Sequence, residues 1–74
     1  MRSEAEEAVL NESILAYEQY VAGETRFVYY GETDGGRLLA VVFTERGDRL
    51  RVVTAYDLDA GQKRDYLVRR FQGE

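Results

Sequence analysis

The sequence predicts an α+β fold: a short N-terminal helix, a four-stranded antiparallel meander and a C-terminal helix packed on the sheet. Three observations predict it. Residues 37–57 (RLLAVVFTERGDRLRVVTAYD) read as two strands around a tight turn. Two earlier runs, 14–21 (ILAYEQYV) and 26–31 (RFVYYG), are rich in aromatic and β-branched residues and bounded by turn signals. After Asp59 the apolar spacing changes from strand-like to helical.

In chain order, Ser3-Glu4-Ala5-Glu6 fits the S-x-x-E capping box and starts the first helix. Glu4, Glu6 and Glu7 fall in its first turn, where the helix dipole favours carboxylates. That role accounts for them without a metal. Asn11 is the expected stop, because Asn tolerates a left-handed backbone at a helix end. Strand 14–21 follows at an edge, then the turn Ala22-Gly23-Glu24 and strand 26–31. Thr33-Asp34-Gly35-Gly36 makes the next turn.

Strand 38–44 is apolar almost throughout, as expected where both faces are covered. Strand 49–56 alternates. A two-residue turn at Arg46-Gly47 or Gly47-Asp48 places Leu39, Val41, Phe43, Leu50, Val52, Thr54 and Tyr56 on one face, the expected helix-covered core. The opposite face then carries Leu38, Ala40, Val42, Arg49, Arg51, Val53 and Ala55. Asp59 and Gln62 form a D-x-x-Q capping box for the last helix. Leu67, Val68 and Phe71 are expected to face the sheet, and Gly73 to end the helix. Both helices are expected on one face.

The 74 residues make one domain. Domains of this size bury a small core, so a homodimer or a bound partner is an expected source of added stability. There is no Cys, which excludes disulfides and thiolate metal sites. No apolar run is long enough to span a bilayer, and the acidic start lacks a signal-peptide core. The cytoplasm is the default compartment. The net charge of −4 is unevenly placed. Residues 1–25 sum to −5, 26–48 to −1 and 49–74 to +2. A basic second half is compatible with a nucleic-acid face, although solvated surface charge gives the same pattern. There is no His, which excludes a paired-His nuclease, a Ser-His-Asp triad and a His-ligated metal.

Residues 26–66 (RFVYYGETDGGRLLAVVFTERGDRLRVVTAYDLDAGQKRDY) resemble the C-terminal half of BrnT-type toxins. These are small ribonucleases of bacterial toxin–antitoxin modules with a RelE-like fold. Arg26-Phe27, Gly31, Gly36-Arg37-Leu38-Leu39, the TERGDR core at 44–49 and Arg51 to Ala55 carry the resemblance. Lys63, Arg64 and Tyr66 match the family's basic helix, and AEEAVLNES resembles its second helix. The family's first strand and helix have no counterpart, so the resemblance implies a member shortened at its N-terminus. Tyr56-Asp57 stands where the family carries Arg-Arg.

The resemblance implies RNA cleavage without metal or cofactor, through a basic cluster, and an antitoxin-like protein partner. Arg26, Lys63, Arg64 and Tyr66 are the candidate catalytic residues, with Arg49 and Arg51 as RNA contacts. Unshifted Tyr and Lys are poor bases at neutral pH, so catalysis would need them close together. Tyr17, Tyr20, Tyr29, Tyr30 and Tyr56 either stack on bases or fill half-buried sheet faces. The alternative function is a catalytically inactive relative that works as a protein-interaction module.

Overall fold

The structure is a computed structural model that describes residues 3–72. Its elements are α1 (Glu4–Leu10), β1 (Ile14–Val21), β2 (Glu24–Glu32), β3 (Leu38–Arg46), β4 (Arg49–Asp57) and α2 (Ala60–Gln72). The strands form one antiparallel sheet in the order β1-β2-β3-β4. The α+β architecture is the expected one. The helix end expected at Gly73 lies outside the described residues.

Local chemistry sets the helix starts. The Ser3 Oγ accepts from the Glu6 amide (3.2 Å), and Glu6 Oε1 accepts from the Ser3 amide (3.1 Å). Asp59 and Gln62 make the same reciprocal pair at α2, at 2.8 and 3.0 Å. Helix α1 stops at Asn11 as expected, but not through a left-handed Asn. Asn11 keeps a negative φ of −96°, and the left-handed residue is Glu12 at +47°. Asn11 instead donates its side-chain amide to the Glu32 carbonyl (3.1 Å) and to Asp34 Oδ1 (2.7 Å), tying α1 to the β2–β3 turn.

The β3–β4 turn has two residues, Gly47 and Asp48, flanked by the pair Arg46–Arg49. Gly47 sits at φ +60°, which only Gly adopts without strain. From there the expected faces hold as far as the pair Phe43–Val52. Then a bulge inserts Val53, and Val42 pairs with Thr54. A bulge reverses the in–out pattern beyond it. Thr54 and Tyr56 therefore leave the Leu39–Val41–Phe43 face and join Ala40 and Val42, contrary to expectation.

The two helices cover opposite faces of the sheet, not one. Alternation along β3 decides this: Leu39 and Val41 pack with Ala8 of α1, whereas Ala40 and Val42 pack with Tyr66 of α2. Val28, Tyr30, Ala16 and Leu58 complete the α2-side core. This explains why residues 39–42 are all buried. Gly31 lies under α1, where no side chain fits.

The orientation of α2 also overturns the expectation. Leu67, Val68 and Phe71 point to solvent, exposed by 44%, 46% and 78%. Tyr66 is the fully buried residue, and Gln62, Asp65 and Arg70 are the half-buried ones. The inward stripe is polar because it meets polar partners. Arg69 donates to the Ala16 carbonyl (2.9 Å), at the bulge in β1 where the ladder leaves a residue unpaired. Arg70 bonds Glu12 (2.9 Å) and Glu32 (3.4 Å).

Arg37, just before β3, joins α1 to β4. It clamps Asp57 through two bonds (2.7 and 2.9 Å) and reaches Glu4 at 2.7 Å. The Arg37 hydrogen bonds hold the Asp57 carboxyl below its ordinary range. A depressed carboxyl stabilises the fold above the unfolded Asp value, about pH 4, and this contribution disappears as pH falls through the folded value. Asp57→Asn is expected to flatten the loss of stability below about pH 4 in urea titrations. An unchanged acid limb would remove Asp57 from that role. Among the described residues no helix is long and apolar enough to cross a membrane.

Candidate nucleic-acid interface

Register places side chains in rows across the α2 face. Ile14, Tyr30, Ala40 and Tyr56 form one row, and Tyr17, Val28, Val42 and Thr54 the next. Helix α2 packs over these rows. Beyond them lie Gln19, Arg26, Thr44 and Arg51, and then Val21, Glu24, Arg46 and Arg49. Here α2 no longer covers the sheet.

A tyrosine pair marks the border. Tyr17 belongs to β1 and Tyr56 to β4, the two edge strands, yet their hydroxyls come close enough to influence one another. Three strand spacings, about 14 Å, separate the edges of a flat sheet. Bulges in β1 and β4 increase the local twist of the edge strands, which brings the two side chains toward one another across the α2 face. Burial, then the neighbouring Tyr56 hydroxyl, pushes the Tyr17 hydroxyl up from its ordinary value. Tyr30 is raised first by burial, with Gln62 donating an opposing hydrogen bond. Both phenols stay protonated at neutral pH, so neither serves as a base there.

Past the tyrosines the face opens into a cavity of about 260 Å³ lined by Glu24, Arg26, Thr44, Arg46, Arg51, Val52 and Val53. Three guanidinium groups share it with one carboxylate. Glu24 lies 3.6 Å from Arg46 and 4.0 Å from Arg26. Arg26 has a side chain only 35% exposed, and its Nε is buried with no hydrogen-bond partner. Arginine presents donors in a planar fork that matches phosphate oxygens. An unpaired buried donor costs about 1–3 kcal/mol, which an incoming acceptor would relieve.

Of the residues singled out from sequence, Arg26 and Arg51 come together here, with Arg49 on the neighbouring row of the same face. Lys63 and Arg64 are exposed on α2, outside the cavity lining. Tyr66 is fully buried, and its hydroxyl accepts from Arg70 (3.3 Å). Its ring is in the core, under the Arg70 guanidinium at 5.9 Å. Arg46, Glu24 and Thr44 were missed. Arg46 was within reach of sequence reasoning, because a two-residue turn pairs it with Arg49 on one face. Among the described residues no group of three or more acidic side chains gathers as a metal site requires.

A sheet face with three guanidinium groups around one cavity is what the comparison with known families meets. A family model described as "Ribonuclease toxin, BrnT, of type II toxin-antitoxin system" matches residues 2–61. The chain belongs to the BrnT toxin family. The match takes in α1 and the whole sheet, including the arginine cavity, and ends at the first turn of α2. No curated protein and no solved structure matches the chain. As a BrnT-type member it is the toxin component of a type II toxin–antitoxin system, and its partner is an antitoxin.

Proposed function

We propose that this BrnT-type toxin cleaves single-stranded RNA in the cytoplasm without a metal, using the arginine cavity to hold the scissile phosphate. The observation that carries this reading is the convergence of Arg26, Arg46 and Arg51 on one cavity, with Arg26 Nε unpartnered. In the reaction the ribose 2′-oxygen attacks the adjacent phosphorus and the P–O5′ bond breaks. The products are a 2′,3′-cyclic phosphate and a free 5′-hydroxyl. Charge grows on the non-bridging oxygens, and guanidinium groups fixed around them stabilise it. Glu24, the carboxylate lining the cavity, takes the 2′ proton, and solvent water gives a proton to the departing 5′ oxygen. Tyr17 and Tyr56 offer ring faces at the rim for a flanking base. Arg49, Lys63 and Arg64 contact neighbouring phosphates, and Tyr66 anchors α2.

Purified protein should cleave a single-stranded RNA oligonucleotide in the presence of EDTA. Arg26→Ala and Arg51→Ala should each lower the rate about 100-fold, the scale seen when one preorganised charge-stabilising donor is removed. Arg64→Ala should weaken RNA binding and make it less salt-dependent. Cleavage that survives both cavity substitutions would place the chemistry elsewhere. Cleavage that needs added metal would remove the mechanism altogether.

A further inference from the structure

Helix α2 is amphipathic in the reverse sense. Its inward side carries Gln62, Asp65, Tyr66 and Arg69, all engaged with the sheet or with each other. Its outward side carries Lys63, Arg64, Leu67, Val68 and Phe71, all exposed. At 100° per residue these five span one continuous face of the helix. Phe71, at 78% exposure, is the most exposed large apolar side chain among the described residues. A folded domain has no internal reason to turn Leu67, Val68 and Phe71 to water together while the half-buried polar side chains Gln62 and Asp65 take the side toward the sheet. Contiguous apolar surface rimmed by charge marks an interaction site.

We infer that the outward face of α2 is the docking surface for the antitoxin, and that it receives an acidic amphipathic helical segment. The family requires an antitoxin partner, and this stripe has the chemistry to seat one. Leu67 and Phe71, one turn apart, with Val68 beside them, form an apolar ridge that a partner's i/i+3/i+4 anchors can straddle. The charges that α2 itself places there are positive, Lys63 and Arg64; the carboxylate that Lys63 acts on, Asp57, lies on β4 and is clamped by Arg37. Asp65 is turned inward and committed to Arg69 at 3.0 Å. Charge complementarity therefore selects an acidic partner segment. A second copy would bring the same cationic stripe against itself. The surface is separate from the arginine cavity, so the inference stands whether or not the cavity is where RNA is cut.

The test is titration of the full-length toxin with the purified cognate antitoxin, followed by calorimetry. Leu67→Asp/Phe71→Asp should weaken binding at least about 100-fold, as expected for central apolar anchors. Circular dichroism, melting temperature and RNA cleavage should be unchanged, because both side chains face solvent. Lys63→Glu/Arg64→Glu should slow association and remove most of its salt dependence. Leu50→Asp, a control on β4 at an exposed apolar side chain outside α2, should bind normally. Antitoxin affinity within threefold of wild type in the Leu67/Phe71 variant overturns the inference. So does loss of binding in Leu50→Asp alone, or a wild-type homodimer that dissociates in the Leu67/Phe71 variant while antitoxin binding persists.

Discussion

Gly31→Ala is expected to lower the melting temperature by more than 10 °C, although it adds a single methyl group. The added Cβ would run into the backbone carbonyl of Ala8, and backbone cannot rotate away as a side chain can. Helix α1 has only seven residues, too few to be stable by itself. It is held by Ala5, Ala8 and Val9 against Leu39, Val41 and Phe43, and by Glu4 to Arg37. Pushing it outward opens all of those contacts at once. Overpacking a tight site costs about 1–3 kcal/mol and more where the obstacle is rigid. For a domain of this size each kcal/mol lowers the melting temperature by roughly 4–8 °C. Gly61→Ala makes the contrast. Its Cβ meets only Asp59 Oδ1 at an ordinary 3.5 Å, and Ala is the better helix former by about 0.5–1 kcal/mol. Thermal melts of the two variants should move in opposite directions. A Gly31→Ala protein that melts within a few degrees of wild type would show that α1 has room to yield.

Why some of this was legible in the sequence, and some not, follows from where the information sits. The hairpin turn and both capping boxes are local: the residues that make them lie within four positions, and they form as the sequence suggests. The burial of strand β3 on both faces was also readable, from its unbroken apolar run. What was not readable were events that depend on a distant partner. Nothing in RVVTA announces that Val53 will bulge, yet that one residue moves Tyr56 to the α2 face and Asp57 to the side of Glu4 and Arg37. The same holds for α2. Apolar spacing argued that Leu67, Val68 and Phe71 turn inward. The sheet instead presented an unpaired Ala16 carbonyl, Glu12, Glu32 and the Tyr30 hydroxyl, and these are answered by Arg69, Arg70 and Gln62. Pairing with these polar groups occupies the inward positions of α2, and the three apolar side chains are left outside, where a partner can cover them. At the candidate site, Arg26 and Arg51 were identified by residue type, whereas Glu24 and Thr44 join them only through cross-strand register.

Tyr66→Ala is expected to cost about 3–5 kcal/mol, the range for deleting a buried aromatic ring. The ring is wholly buried among Val28, Tyr30, Ala40, Val42 and Leu58, and it is the one buried residue of α2. Two of its neighbours, Ala16 and Ala40, have no side-chain length with which to refill the void. Much of the stability of a small domain would go with it, and α2 would detach with its outward face. The informative companion is Tyr66→Phe. That change removes only the hydroxyl, whose partner Arg70 keeps its bonds to Glu12 and Glu32. Its stability cost should stay within about 1 kcal/mol. If Tyr66 serves as an anchor, Tyr66→Phe should cleave RNA at close to the wild-type rate. A buried hydroxyl that moved protons in the reaction would behave differently: the rate would fall by orders of magnitude at an unchanged melting temperature. Measuring both quantities on the one variant separates the two roles, because packing is read by the melt and chemistry by the rate.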